Sequence, residues 1–163
     1  MNDNIDPADA LDPTMSEPDR KVIVASITRM LARREHSMEE IVRKLTQKGL
    51  EEAAILPVLD EFREAGIQSD ARYAEARARS LMLKGAGPRK IKADLQQHGV
   101  AEALFDSVFN ELDADWFELA RQVKEKRFGG QHPQEYKDKM KQMQFLSYRG
   151  FSQSHINYAV NGE

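Results

Sequence analysis

Four histidines, a large complement of carboxylates and one glycine-rich basic stretch are the parts of this sequence that could do chemistry. His36, His98, His132 and His155 are scattered, and none lies three or four residues from another, so no helical face carries a histidine metal pair. The chain has no cysteine, which removes disulfides, thiolate metal sites and cysteine nucleophiles. Lys84-Gly85-Ala86-Gly87-Pro88-Arg89-Lys90 places glycines beside lysine, as a phosphate cradle does. It lacks the GxxxxGK[ST] spacing, however, and follows a helical rather than a strand pattern, so it reads as a turn. The carboxylates alternate with bases on helix faces, where solvated ion pairs are the usual outcome. No catalytic residue, metal ligand or cofactor is assigned.

The bases are the more informative set. From Asp70 to His98, Arg72, Arg77, Arg79, Lys84, Arg89, Lys90 and Lys92 stand against only Asp70, Glu75 and Asp94. Further on, Arg121, Lys124, Lys126, Arg127, Lys137, Lys139, Lys141 and Arg149 stand against Asp115, Glu118, Glu125, Glu135 and Asp138. Such clusters neutralise phosphates or pair with an acidic protein groove, the alternative being a mixed-charge solvent face. Aromatic residues are not interleaved with the bases as base stacking would require, and Tyr73, Trp116 and Phe128 are expected in the core. The net charge of −3 hides an asymmetry, because residues 1–19 hold Asp3, Asp6, Asp9, Asp12, Glu17 and Asp19 and neither Lys nor Arg. That acidic, proline-containing stretch is expected to be a disordered solubilising tail; a sharper reading has it competing with nucleic acid for the basic body.

Helices must position these bases, since no period-2 apolar alternation occurs. Ile23, Ile27, Met30 and Leu31 recur at helical spacing after a cap at Thr14 or Ser16. Ser37-Met38-Glu39-Glu40 reads as a capping box opening a helix to about Lys48. The next helix, Glu51 to Ala65, contains Pro57, so it begins near Leu56 or kinks there. Ser69 or Asp70 caps a helix to about Leu83, Pro88 opens a short one that ends at Gly99, and Ala101 to Leu112 is a third. A helix from Trp116 to Phe128, one stopping at Gly150 and one capped by Ser152 complete the chain.

The pattern is a repeat. Gly49-Leu50, Gly99-Val100 and Gly150-Phe151 each close a short helix, and the glycines are 50 and 51 residues apart. Six residues beyond each glycine come Ile55, Phe105 and Ile156. The expected fold is all-α: three tandem three-helix repeats (20–69, 70–114 and 115–163) after the 1–19 tail, forming an elongated, curved array. A helix-turn-helix reading is weak, because Glu51, Glu52, Glu102 and Asp106 open the helices after the first two glycines. No run is long enough to cross a bilayer, no signal peptide is evident, and the chain is expected to be a cytoplasmic monomer.

Leu31-Ala32-Arg33-Arg34-Glu35-His36-Ser37-Met38-Glu39-Glu40-Ile41 with Lys44-Leu45 resembles the opening signature of the RecX regulatory proteins, bacterial modulators of the RecA recombinase. Asp70-Ala71-Arg72-Tyr73-Ala74 resembles their second signature, and Lys84-Gly85-Ala86-Gly87-Pro88 with Ile91, Leu95 and Gly99-Val100 their third. Phe145-Leu146-Ser147-Tyr148-Arg149-Gly150-Phe151 with Ile156 is similar to the C-terminal one. The family has an aromatic after the glycine and two aspartates before the second-unit helix, whereas this chain reads Gly66-Ile67-Gln68-Ser69-Asp70. The resemblance implies a non-enzymatic protein of three three-helix units that binds the RecA filament, with the single-stranded DNA inside it, and suppresses ATP hydrolysis, strand exchange and coprotease activity. The expected contacts are Arg72, Arg77, Arg79, Lys84, Arg89, Lys90 and Lys92, with Lys124, Lys126, Arg127 and Arg149.

Overall fold

The computed structural model describes residues 17–163, so the acidic residues before Glu17 and the expected Thr14 and Ser16 caps lie outside the described residues. Among the described residues there are nine α-helices, one 3₁₀ turn and no strand. The chain divides after Ser69 into two compact units.

The first unit holds α1 (Glu17–Arg33), α2 (Met38–Gln47) and α3 (Glu52–Glu64). Helix α1 thus begins inside the stretch read as tail. Ile23, Ile27, Ile41, Leu45, Ile55, Val58 and Leu59 form its core, every one of them fully buried. The Ser37 hydroxyl caps α2 by accepting from the Glu40 amide at 3.1 Å. The Glu40 carboxylate, expected to reach back to the cap, is instead held by Arg34 at 2.6 and 3.1 Å. Of the two readings of Pro57, a start near Leu56 is excluded, since α3 begins at Glu52 and contains the proline. An interior proline costs about 3 kcal/mol. Burying Ile55, Val58 and Leu59 on one face returns about 1.5–3 kcal/mol for each, enough to offset it.

The second unit holds α4 (Asp70–Leu83), α5 (Pro88–Gln97), α6 (Phe105–Leu112), α7 (Trp116–Phe128), α8 (Tyr136–Tyr148) and α9 (Gln153–Asn161). The helix expected over Ala101 to Leu112 is split: Glu102–Leu104 is a 3₁₀ turn and the α-helix starts at Phe105. Tyr73, Ala74, Ala78, Ile91, Leu95, Phe105 and Val108 belong to one core, and Ala120, Leu146, Phe151, Ile156 and Val160 to another. Trp116 packs against both, so the two three-helix groups share a side chain. Ser152 caps α9 in a full capping box, with His155 as the returning side chain.

The repeat is exact down to the backbone of its helix stops. Leu50, Val100 and Phe151 donate to the carbonyls of Leu45, Leu95 and Leu146 at 3.1, 3.0 and 3.2 Å, and the preceding glycines donate to Thr46, Gln96 and Ser147. This is the double hydrogen bond of a Schellman stop, which puts the glycine in the left-handed region. Ile55, Phe105 and Ile156, at matching positions beyond each stop, are all buried.

Candidate nucleic-acid and partner interface

In the second unit the loop before α5 is docked on the C-terminus of α8. The Gly87 amide donates to the Arg149 carbonyl at 2.8 Å, and the Arg89 amide to the Gly150 carbonyl at 2.9 Å. Donors left over at the start of one helix are therefore satisfied by acceptors left over at the end of another, and the helix dipoles meet with opposite signs. The approach leaves no room for side chains. A Cβ on Gly87 would lie 2.5 Å from the Gly150 carbonyl carbon, and one on Gly150 would collide with the Lys90 backbone and Cβ. Gly49, the matching stop in the first unit, has nothing within 4 Å of such a Cβ.

Two open clefts meet at this seam. One, of about 550 Å³, has Met82, Leu119, Val123 and Phe145 on its walls and Lys84, Lys126, Arg127 and Arg149 as its cations. The other, of about 420 Å³, is lined by Arg89, Lys90, Ser147, Tyr148 and Gly150. No carboxylate lines either. Six of the expected contact residues are thereby gathered onto one seam: Lys84 just after α4, Arg89 and Lys90 in α5, Lys126 and Arg127 in α7, and Arg149 just after α8.

The other expected contacts are placed differently. Arg77 forms a two-pronged pair with Asp94 at 2.9 and 2.8 Å. Burial pushes the Asp94 carboxyl up, but the Arg77 hydrogen bonds and charge outweigh it, with help from His98, and hold it below its usual range. Arg79 reaches Glu75 and the Glu111 carbonyl. Arg72 is exposed on α4, and the exposed Lys92 has its ammonium 5.3 Å from the Phe109 ring centroid. Lys124 corrects the sequence reading outright. Only 1% of it is exposed, and its ammonium donates to the Gly129 and Gln131 carbonyls at 2.9 and 2.7 Å, tying down the loop after α7. It has no surface from which to meet a phosphate.

Cations and aromatics that are apart in sequence are brought together by the fold. The Lys90 ammonium lies 5.3 Å from the Tyr148 ring centroid, and the Arg127 and Arg149 guanidiniums lie 5.5 and 5.0 Å from that of Phe145. Arg149 is held there by a 3.2 Å bond to the Lys84 carbonyl. Sequence reasoning missed Tyr148 as a site residue. Its signal was available: it lies two residues beyond the buried Leu146, off the apolar stripe of α8, and is 79% exposed.

The first unit carries a cationic cleft of its own that was also missed. Met30, Arg33, Arg34, His36, Lys44, Gln47 and Lys48 line about 560 Å³, again without a carboxylate. His36, only 3% exposed, sits at its base. Its Nδ1 is 3.0 Å from the Arg34 carbonyl, which can only accept, so Nδ1 carries the proton and Nε2 accepts from the Lys44 ammonium at 3.3 Å. Burial, supported by the Arg34 and Lys44 charges, holds the His36 pKa below 6.5 and keeps the ring neutral. Among the described residues no group of three His, Cys, Asp or Glu could hold a metal, and no helix is long and apolar enough to cross a membrane.

Comparison with known proteins gives one result. Models of the first, second and third three-helix domains of RecX match residues 26–62, 69–108 and 113–160. The protein named Regulatory protein RecX in Vibrio campbellii is 38% identical over 151 residues, which span 93% of this chain and 94% of that one. Its namesake in Pseudomonas putida is 40% identical over 133 residues, spanning 82% and 85%. A solved crystal structure of regulatory protein RecX superposes with a TM-score of 0.76 over 89% of this chain and 74% of the other, at 24% identity, a likeness of fold.

Proposed function

The chain belongs to the RecX family of regulatory proteins, and from that premise we propose that it binds the filament formed by RecA on single-stranded DNA and inhibits its ATPase, strand-exchange and coprotease activities. In this reading it is a cytoplasmic modulator of recombination, DNA repair and the SOS response, acting as a monomer without turnover of its own. The observation that carries the proposal beyond family membership is the seam of the second unit, where six cations surround two clefts that contain no carboxylate.

Lys84, Arg89, Lys90, Lys126, Arg127 and Arg149 form the proposed contact surface, and the exposed Arg72 of α4 and Lys92 of α5 are further proposed contacts. Their charge attracts the phosphates of the filament's DNA, an interaction that strengthens as salt falls. Inhibition requires more than attachment. A bound protein changes turnover only if it favours one filament state over another, so the contact must be better made on an inactive arrangement. Several weak contacts made together suffice, because after the first the others form at high effective concentration.

Co-sedimentation with RecA assembled on single-stranded DNA tests the binding step. The protein should enter the pellet in proportion to filament and remain in the supernatant when Lys84, Arg89 and Lys126 are changed together to Glu; a protein that never pellets contradicts the proposal. A second reading, a helical protein that binds nucleic acid directly and without sequence preference, is supported by the same clefts. Its mark is steeply salt-dependent binding to DNA in the absence of RecA.

A further inference from the structure

The cleft beside α5 is not lined by cations alone. Tyr148 stands in it, 79% exposed, on the last turn of α8. Tyr136, at the other end of α8, is as exposed at 77%, so it is the cation beside Tyr148, not exposure alone, that sets this ring apart. Its neighbours explain part of its position. The Lys90 ammonium lies over the ring, and Lys90 is itself fixed by the seam, where its backbone packs against Gly150. One face of the ring thus carries a cation, and the high exposure leaves the rest of the ring open. Arg89 lines the same cleft, and no carboxylate does.

We infer that Tyr148 is a stacking platform for an unpaired nucleobase, with Lys90 and Arg89 placed to hold the phosphates on either side of that base. The inference deepens the reading above and rests on it, since it assumes that this basic seam meets DNA. It adds a chemical preference: the ligand is a strand whose bases are free to leave their stack, and the surface discriminates against duplex. The chemistry decides for a nucleic acid over an acidic peptide. A peptide carboxylate would use the two cations and leave the ring unoccupied, whereas a nucleotide offers a flat π-face and a flanking anion together. Phe145 does not compete for this role, because it is half-buried and has Arg127, Arg149 and Phe128 around its ring.

The test needs no RecA. Binding of the full chain is measured at low salt to a thymidine oligonucleotide and to an abasic oligonucleotide with the same number of phosphates. The parent protein should prefer the thymidine strand by about tenfold or more, the effect of one base-aromatic contact. Tyr148→Ala should bind both strands alike, at the parent's affinity for the abasic one. Tyr148→Phe, which keeps the ring, should keep the preference. A thermal melt of each variant checks that an exposed side chain was removed without unfolding. Equal binding of both strands by the parent overturns the inference, since phosphates alone then suffice, and so does a preference that survives Tyr148→Ala. If the parent binds neither strand, the inference also falls, while pelleting with RecA filaments would show that the proposed function stands without it.

Discussion

The Gly87 amide donates to the Arg149 carbonyl at 2.8 Å, and through that bond the start of α5 and the end of α8 complete each other's backbone. The contact does what the three-fold repeat does not require. It brings Lys84, Arg89 and Lys90 to Lys126, Arg127 and Arg149, so two groups of bases that are distant in sequence become one surface.

The seam predicts that equivalent glycines are unequal. Gly49 and Gly150 have φ of +91° and +96°, so an alanine at either is strained by about 1–2 kcal/mol. Gly150→Ala must in addition displace Lys90, a further cost of about 1–3 kcal/mol. Urea unfolding should place Gly150→Ala at a clearly lower midpoint than Gly49→Ala. Equal midpoints would mean that the close approach carries no energy.

This difference marks the boundary of what could be read from the sequence. The helices, their glycine stops and the buried Ile55, Phe105 and Ile156 were legible, because periodicity and turn chemistry are local properties. Pro57 left two readings of α3 open, a start near Leu56 or a kinked helix from Glu51, and the choice for the longer helix is made by tertiary burial of Ile55, Val58 and Leu59. Of the contact residues, Lys84, Arg89, Lys90, Lys126, Arg127 and Arg149 do line the clefts. Composition could not separate the buried Lys124 from the exposed Lys126, two positions on, for helix phase alone puts one inside and one outside. Nor could it place Lys90 over Tyr148, a pairing made by the seam.

Those two lysines should behave oppositely. Lys124→Met leaves the Gly129 and Gln131 carbonyls without their donor and is expected to cost about 1–3 kcal/mol of stability, with no change in the salt dependence of DNA binding. Lys126→Met should change stability by less than about 0.5 kcal/mol. It should also lower the slope of log affinity against log salt by about one. Melting curves and a salt titration of the two variants decide the matter, and the reverse pattern would contradict the assignment.

Stability should fall as the solution is acidified below about pH 6.5. Burial is the main cause that holds the pKa values of His36 and His155 below that of a free imidazole, so the unfolded chain takes up protons there before the folded one does. Both neutral rings have structural tasks. His36 Nε2 accepts from Lys44, and His155 Nδ1 accepts from the Ser152 amide in the α9 cap. The pKa values of Glu40 and Asp94 are lowered as well, the upward push of burial being outweighed by their hydrogen-bonded partners Arg34 and Arg77, so their contribution is lost only at still lower pH. The urea midpoint should therefore drop between about pH 7.5 and about pH 5.5. His155→Gln, which keeps an acceptor at the same capping position, should lessen that drop; an unchanged pH dependence would remove His155 from the account.

The proposed role of the acid-free seam of the second unit, as the surface through which this chain inhibits RecA, is tested most directly by ATP turnover by RecA on single-stranded DNA. Turnover should decline to a low plateau as the parent protein is added. It should stay near its uninhibited rate when Arg89→Glu and Lys90→Glu are combined in a chain shown by its melting curve to be folded. Full turnover at saturating parent protein, or undiminished inhibition by the charge-reversed chain, would contradict it.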